Sequence, residues 1–120
     1  MLRNFGRDIT ILSQANLQRV EFSSETNLNG ANLSQTNLIK AFLSGANLSG
    51  ANLTEANLCG SYLEEIDLSN ANLTSADLRG ADLTDANLKN ACLEDANLAG
   101  AILDGANLAG AMMPDGTIHE

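Results

Sequence analysis

The chain has 120 residues, a net charge of −9 and 44% hydrophobic residues, enough for one domain and too apolar for a disordered composition. Three Phe, one Tyr and no Trp leave Leu and Ala to fill any core, and apolar runs of only a few residues exclude a membrane-spanning helix. Residues 1–40 carry four cations against three acids, net +1, while residues 41–120 carry two against twelve, net −10, a balance that argues against direct binding to nucleic-acid phosphates.

From the N-terminus, residues 1–14, with Phe5, Ile9 and Ile11, read as a cap of short helix or irregular structure. The apolar stretch from Ile9 to Leu12 is too short for a secretory h-region and no small-residue cleavage site follows it, so the expected location is cytoplasmic.

From residue 15 to residue 120 a spacing of five organises the chain. Leu12, Leu17 and Phe22 keep it in one phase; Leu28, Leu33, Leu38, Leu43, Leu48, Leu53, Leu58, Leu63, Leu68, Leu73, Leu78, Leu83, Leu88, Leu93, Leu98, Leu103 and Leu108 keep it in another. A single residue is therefore inserted between Phe22 and Leu28, most simply Glu25. Residues five apart advance about 140° around a helix and share no face, so a helix is excluded. Ala-Asn-Leu reads instead as a short strand with Ala and Leu inward and Asn outward. The next two positions form a corner, and Gly at the second of them, as at Gly50 and Gly105, suits a type II turn. The Leu series is the predicted core.

The ANLxx, ADLxx and AxLxG units from Thr26 to Asp115 resemble the pentapeptide-repeat family, including its cyanobacterial members. The resemblance implies an all-β fold, a right-handed quadrilateral β-helix of five to six coils with four units, or twenty residues, per coil. The closing MPDGTIHE resembles the ending of many cyanobacterial members, with Ile118 as a last inward residue and Pro114 unable to donate to a further rung. The C-terminal coil is expected to lack a cap comparable to the N-terminal one.

Twenty residues per coil stack the outward residues in columns: Asn27, Asn47, Asp67, Asn87, Asn107; Asn32, Asn52, Asn72, Cys92, Met112; and Asn37, Asn57, Asp77, Asn97, Thr117. These are expected to be amide ladders, with side chains hydrogen-bonded along the stack. The fourth column, Phe42, Tyr62, Asp82, Ile102, departs from Asn. Phe42, Tyr62 and Ile102 form a candidate interaction stripe rimmed by Glu64, Glu65, Asp85 and Asp104, against the plainer reading of a cross-strand aromatic pair.

No catalytic, cofactor or metal site emerges. Cys59 and Cys92 lie on different faces two coils apart, too far for a disulfide, and the single His119 sits in the tail. No Ser or Thr has a His beside it. The expected function is a non-enzymatic protein-interaction or scaffold module, without cofactor, nucleic acid or membrane, acting as a monomer or an end-to-end dimer. The alternative implied by the resemblance is a DNA-mimicking inhibitor or protector of a type II topoisomerase such as gyrase. That branch of the family often carries central Phe and a C-terminal aromatic, whereas this chain has Leu centrally almost throughout and a non-aromatic C-terminus.

Overall fold

A computed structural model describes residues 11–120. The cap residues Phe5 and Ile9 lie outside the described residues. Ile11, within the expected cap, already pairs with Asn32 on side 2 of the coil.

The backbone explains why a five-residue unit closes on itself. In one unit, the Leu53 N–H donates to the Asn72 carbonyl at 2.7 Å, and the Asn72 N–H donates back to the Ala51 carbonyl at 2.9 Å. The corner follows at once: the Ala56 N–H donates to the Leu53 carbonyl at 3.0 Å, a four-residue turn, while the Glu55 N–H at its third position reaches Thr74 O on the next coil. That third position has positive φ, as a type II turn requires. Two of every five residues are consumed by the corner. Each side therefore contributes one bridging residue rather than the three-residue strand expected.

Apart from Met112–Ile118 at the tail, the bridges are parallel and join residues 20 apart from Asn27 onward, giving four columns around a coil. Side 1 runs through Asn27 to Asn107; side 2 from Ile11 through Asn32 to Met112; side 3 from Asn16 through Asn37 to Asn97; and side 4 through Glu21, Phe42, Tyr62, Asp82 and Ile102. Earlier bridges span 21 residues, as in Glu21 to Phe42. The extra residue is absorbed where the Thr26 N–H donates to the Ser23 carbonyl, a corner displaced by one position.

Leu28 and every fifth residue to Leu93 are at most 2% exposed, and Ala fills most of the other inward position. Ile66 is the large exception there, 1% exposed in a column with Ala46 and Ala86. Leu98, Leu103 and Leu108 are only partly buried, because no further coil lies over them. The polar residues at inward Ala positions are satisfied locally: Thr36 Oγ1 donates to Leu33 O and Ser61 Oγ to Leu58 O, each at 2.7 Å.

Two expectations are corrected. The outward Asn and Asp side chains do not bond along the stack. Each Oδ1 accepts from the backbone N–H two residues ahead, as in Asn52 to Thr54, Asn57 to Cys59 and Asn87 to Lys89. That corner N–H has no backbone acceptor, so the Asx turn satisfies a donor that amide stacking would leave unpaired. The tail also differs. Residues 114–119 turn back: the Met113 N–H donates to Thr117 O, the His119 N–H to Ala111 O, and Met112 pairs with Ile118 in antiparallel sense. Ile118 is thus 55% exposed rather than inward, Thr117 does not extend the side 3 column, and the tail caps the end of side 2. Pro114 accepts through its carbonyl from the Asp95 N–H.

The corners discriminate between glycines. At Gly50 (φ +67) an added Cβ meets nothing within 4 Å, whereas at Gly45 (φ +75) it meets Ser24 Cβ at 3.0 Å. Non-glycine residues occupy the same corner position with similar φ, Glu55 and Glu65 among them. Gly50→Ala is therefore expected to cost only the backbone term, about 1 kcal/mol, and Gly45→Ala measurably more, as read from urea midpoints.

Candidate functional site

Side 4 departs from this hydrogen-bond rule at Phe42, Tyr62 and Ile102, as side 2 does at Cys92, where the Glu94 amide also makes no backbone hydrogen bond. Asp82 keeps it, accepting from Thr84 N at 3.0 Å and Thr84 Oγ1 at 2.6 Å, which holds its carboxyl below the usual range. Phe42, Tyr62 and Ile102 have no acceptor to offer, and the amides of Ser44, Glu64 and Asp104 make no backbone hydrogen bond. Three corners thus forgo a hydrogen bond of about 1 kcal/mol.

Phe42 and Tyr62 stack with ring centroids 4.6 Å apart and planes 11° from parallel, and each is 41% exposed. Ile102, 44% exposed, stands two rungs beyond Tyr62 with Asp82 between. The structure therefore brings two of the three stripe residues together and leaves the third about 10 Å away along the axis.

The corners flanking side 4 carry opposite charge. Glu64, Glu65, Asp85 and Asp104 lie along one, as the sequence predicted; Arg19, Lys40 and Arg79 lie along the other. Sequence reasoning missed the basic row, although the twenty-residue period contained it. Arg79 is engaged, with Nη2 2.6 Å and Nε 2.8 Å from the Asp77 carboxylate. This pairing brings the Asp77 pKa down to about 2, so whatever the ion pair adds to stability is present at neutral pH and lost as pH falls through that value. Arg19 and Lys40 have no ion-pair partner among the described residues. With Glu21, Phe42 and Tyr62 they line an open groove of about 330 Å3. The Lys40 stem passes Gly60, where an added Cβ would meet Lys40 Cγ at 3.4 Å.

Elsewhere the chemistry is sparse. Cys59 and Cys92 are free thiols, and burial, then the Asp77 carboxylate, push the Cys59 pKa up, away from the reactive thiolate. Among the described residues no three His, Cys, Asp or Glu side chains cluster to hold a metal, and no helix is long and apolar enough to cross a membrane.

The family description "Pentapeptide repeats" matches residues 15–54, 51–90 and 91–117. The chain belongs to the pentapeptide-repeat family. Solved pentapeptide-repeat structures similar to it include HetL of the cyanobacterium Nostoc sp. strain PCC 7120, involved in heterocyst differentiation regulation, at 38% identity over 91% of this chain and 60% of HetL, TM-score 0.56. Rfr23 of the cyanobacterium Cyanothece 51142 matches at 36% identity over 77% of this chain and 58% of Rfr23, TM-score 0.65. The chain thus spans about three fifths of the length of either relative. No curated protein matches.

Most other units of this chain place Asn or Asp where Phe42 and Tyr62 stand, so Phe42→Asn with Tyr62→Asn restores two Asx turns while removing one aromatic pair. The two effects, each on the order of 1 kcal/mol, oppose one another. The double variant is expected to melt within a few degrees of wild type by circular dichroism.

Proposed function

We propose that this protein is a non-enzymatic interaction module whose contact surface is side 4, presented on a right-handed quadrilateral β-helix of the kind its family resemblance implies. The observation that carries the reading is the exposed Phe42–Tyr62 stack, bought with two missing Asx turns and bordered by Arg19 and Lys40, which have no ion-pair partner among the described residues. A surface that breaks its own local rule and leaves both of its aromatic rings partly exposed marks a contact face. HetL is described as involved in differentiation regulation, and a regulatory role exercised through protein contact fits a rigid face with no catalytic groups. Cytoplasmic location belongs to the same reading.

Tagged wild type and the Phe42→Asn/Tyr62→Asn variant, compared in lysate capture, test it. A protein retained by the first and lost by the second supports the reading; identical recovery by both overturns it.

Two further elements accompany the proposal. At the C-terminal coil the N–H groups of Leu98, Gly100, Leu103, Gly105 and Leu108 have no backbone partner, an open edge suited to end-to-end pairing of two copies. Light scattering is expected to return twice 12.6 kDa if that edge pairs, and 12.6 kDa if it does not. The second reading, DNA mimicry toward a type II topoisomerase, draws on the carboxylates aligned along two corners, Glu64, Asp85 and Asp104 on one and Glu55, Glu94 and Asp115 on the other. A gyrase supercoiling assay unchanged by excess protein removes it.

A further inference from the structure

Resting on the interaction reading, we infer that the side 4 groove takes an acidic segment of a partner protein, anchored by an aromatic side chain over the Phe42–Tyr62 stack. The groove's volume, about 330 Å3, is at the low end for ligand sites. It suits one large side chain and its flanking backbone rather than a cofactor. Its floor is a ready aromatic stack, 41% exposed at both rings, and a third ring extends such a stack with offset-stacked geometry.

Charge sets the partner's sign. On a chain of net charge −9, Arg19 and Lys40 on successive coils of one corner form a basic island, and among the described residues neither is consumed by an ion pair. Glu21, at the end of the groove, and the acidic row of Glu64, Glu65 and Asp85 across the face repel the partner's carboxylates. They direct them to the Arg19 and Lys40 side and fix the orientation of the segment.

The chain itself supplies the reporter. Tyr62 is the single Tyr and there is no Trp, so intrinsic emission comes from within the groove. The probes are capped peptides of one Phe flanked by Asp on both sides, and the same peptide with Lys in place of Asp. The Asp peptide is expected to shift Tyr62 emission saturably and to bind at least about tenfold more tightly than the Lys peptide at low salt, a preference that shrinks as the Debye length falls to about 10 Å at 0.1 M. Arg19→Glu with Lys40→Glu is expected to erase that preference. Glu already stands at this corner position at Glu55 and Glu65, so the double variant keeps the fold, checked by its melting curve. Equal binding of both peptides, a preference that survives the double variant, or no emission change with either peptide overturns the inference. The interaction reading fails separately: equal peptide binding that is lost in Phe42→Asn, with Tyr62 retained as reporter, removes the charge argument and keeps the face. Silence with both peptides, together with unchanged lysate capture by the Asn variant, removes both.

Discussion

Leu73→Ala is expected to destabilise the protein by about 2–5 kcal/mol, read as a lower urea midpoint at unchanged slope. Leu73 is 0% exposed in the inward column with Leu53 and Leu93, which are equally buried. Its neighbours above and below are held by the ladder: the Leu53 N–H bonds to Asn72 O and the Leu73 N–H to Cys92 O, both at 2.7 Å. Coils fixed at a separation of about 4.8 Å cannot close over the vacated volume, so the loss falls in the cavity-forming part of the range. Leu103→Ala is the internal control. Leu103 lies on the last coil and is only partly buried, so the same deletion opens to solvent and is expected to cost about 1 kcal/mol. Equal losses at the two positions contradict a core that ends at the C-terminal coil.

Ile66→Ala gives the second large effect and the sharper one, because repeat pattern and packing disagree about it. By pattern, position 66 is an Ala position, and restoring Ala ought to be harmless. In the structure Ile66 is 1% exposed and belongs to the continuous core with Ala46 and Ala86 in its own column. Those alanines reach too short a distance to fill the space that the Ile side chain occupies. A loss of about 2–4 kcal/mol is expected, and a change within error shows that the side can collapse onto Ala. The reciprocal substitution, Ala86→Ile, overpacks the coil and is also expected to destabilise, by about 1–3 kcal/mol.

A period of five with Leu at its centre excludes a helix and points to the inward Leu series and to a single inserted residue, most simply Glu25, while the four-sided coil was implied by the resemblance to the pentapeptide-repeat family. The inward series follows from a strand period of two interrupted by a corner every five residues, a constraint that lies wholly within neighbouring residues. The role of Asn was misjudged because a column written from the sequence shows what lies above and below a side chain, not which backbone N–H beside it lacks an acceptor. The Thr54 N–H, facing Asn52 Oδ1 at 3.0 Å, decides the matter.

The side 4 groove was half legible. Phe42, Tyr62 and the acidic rim stood out as departures from the repeat, while Arg19 and Lys40 were scattered charges until the coil set them on one corner beside the stack. The tail shows the same division. Its spacing placed Ile118 inward, but the antiparallel pairing of Met112 with Ile118 reverses the chain and turns that side chain outward. The amino-acid sequence by itself determined the period, the family and the core, because these arise from local geometry repeated along the chain. Only the tertiary structure decided which charges share a groove, which Leu residues lie under no further coil and how the tail closes side 2, because each depends on residues that meet across coils or at an end where the repetition stops.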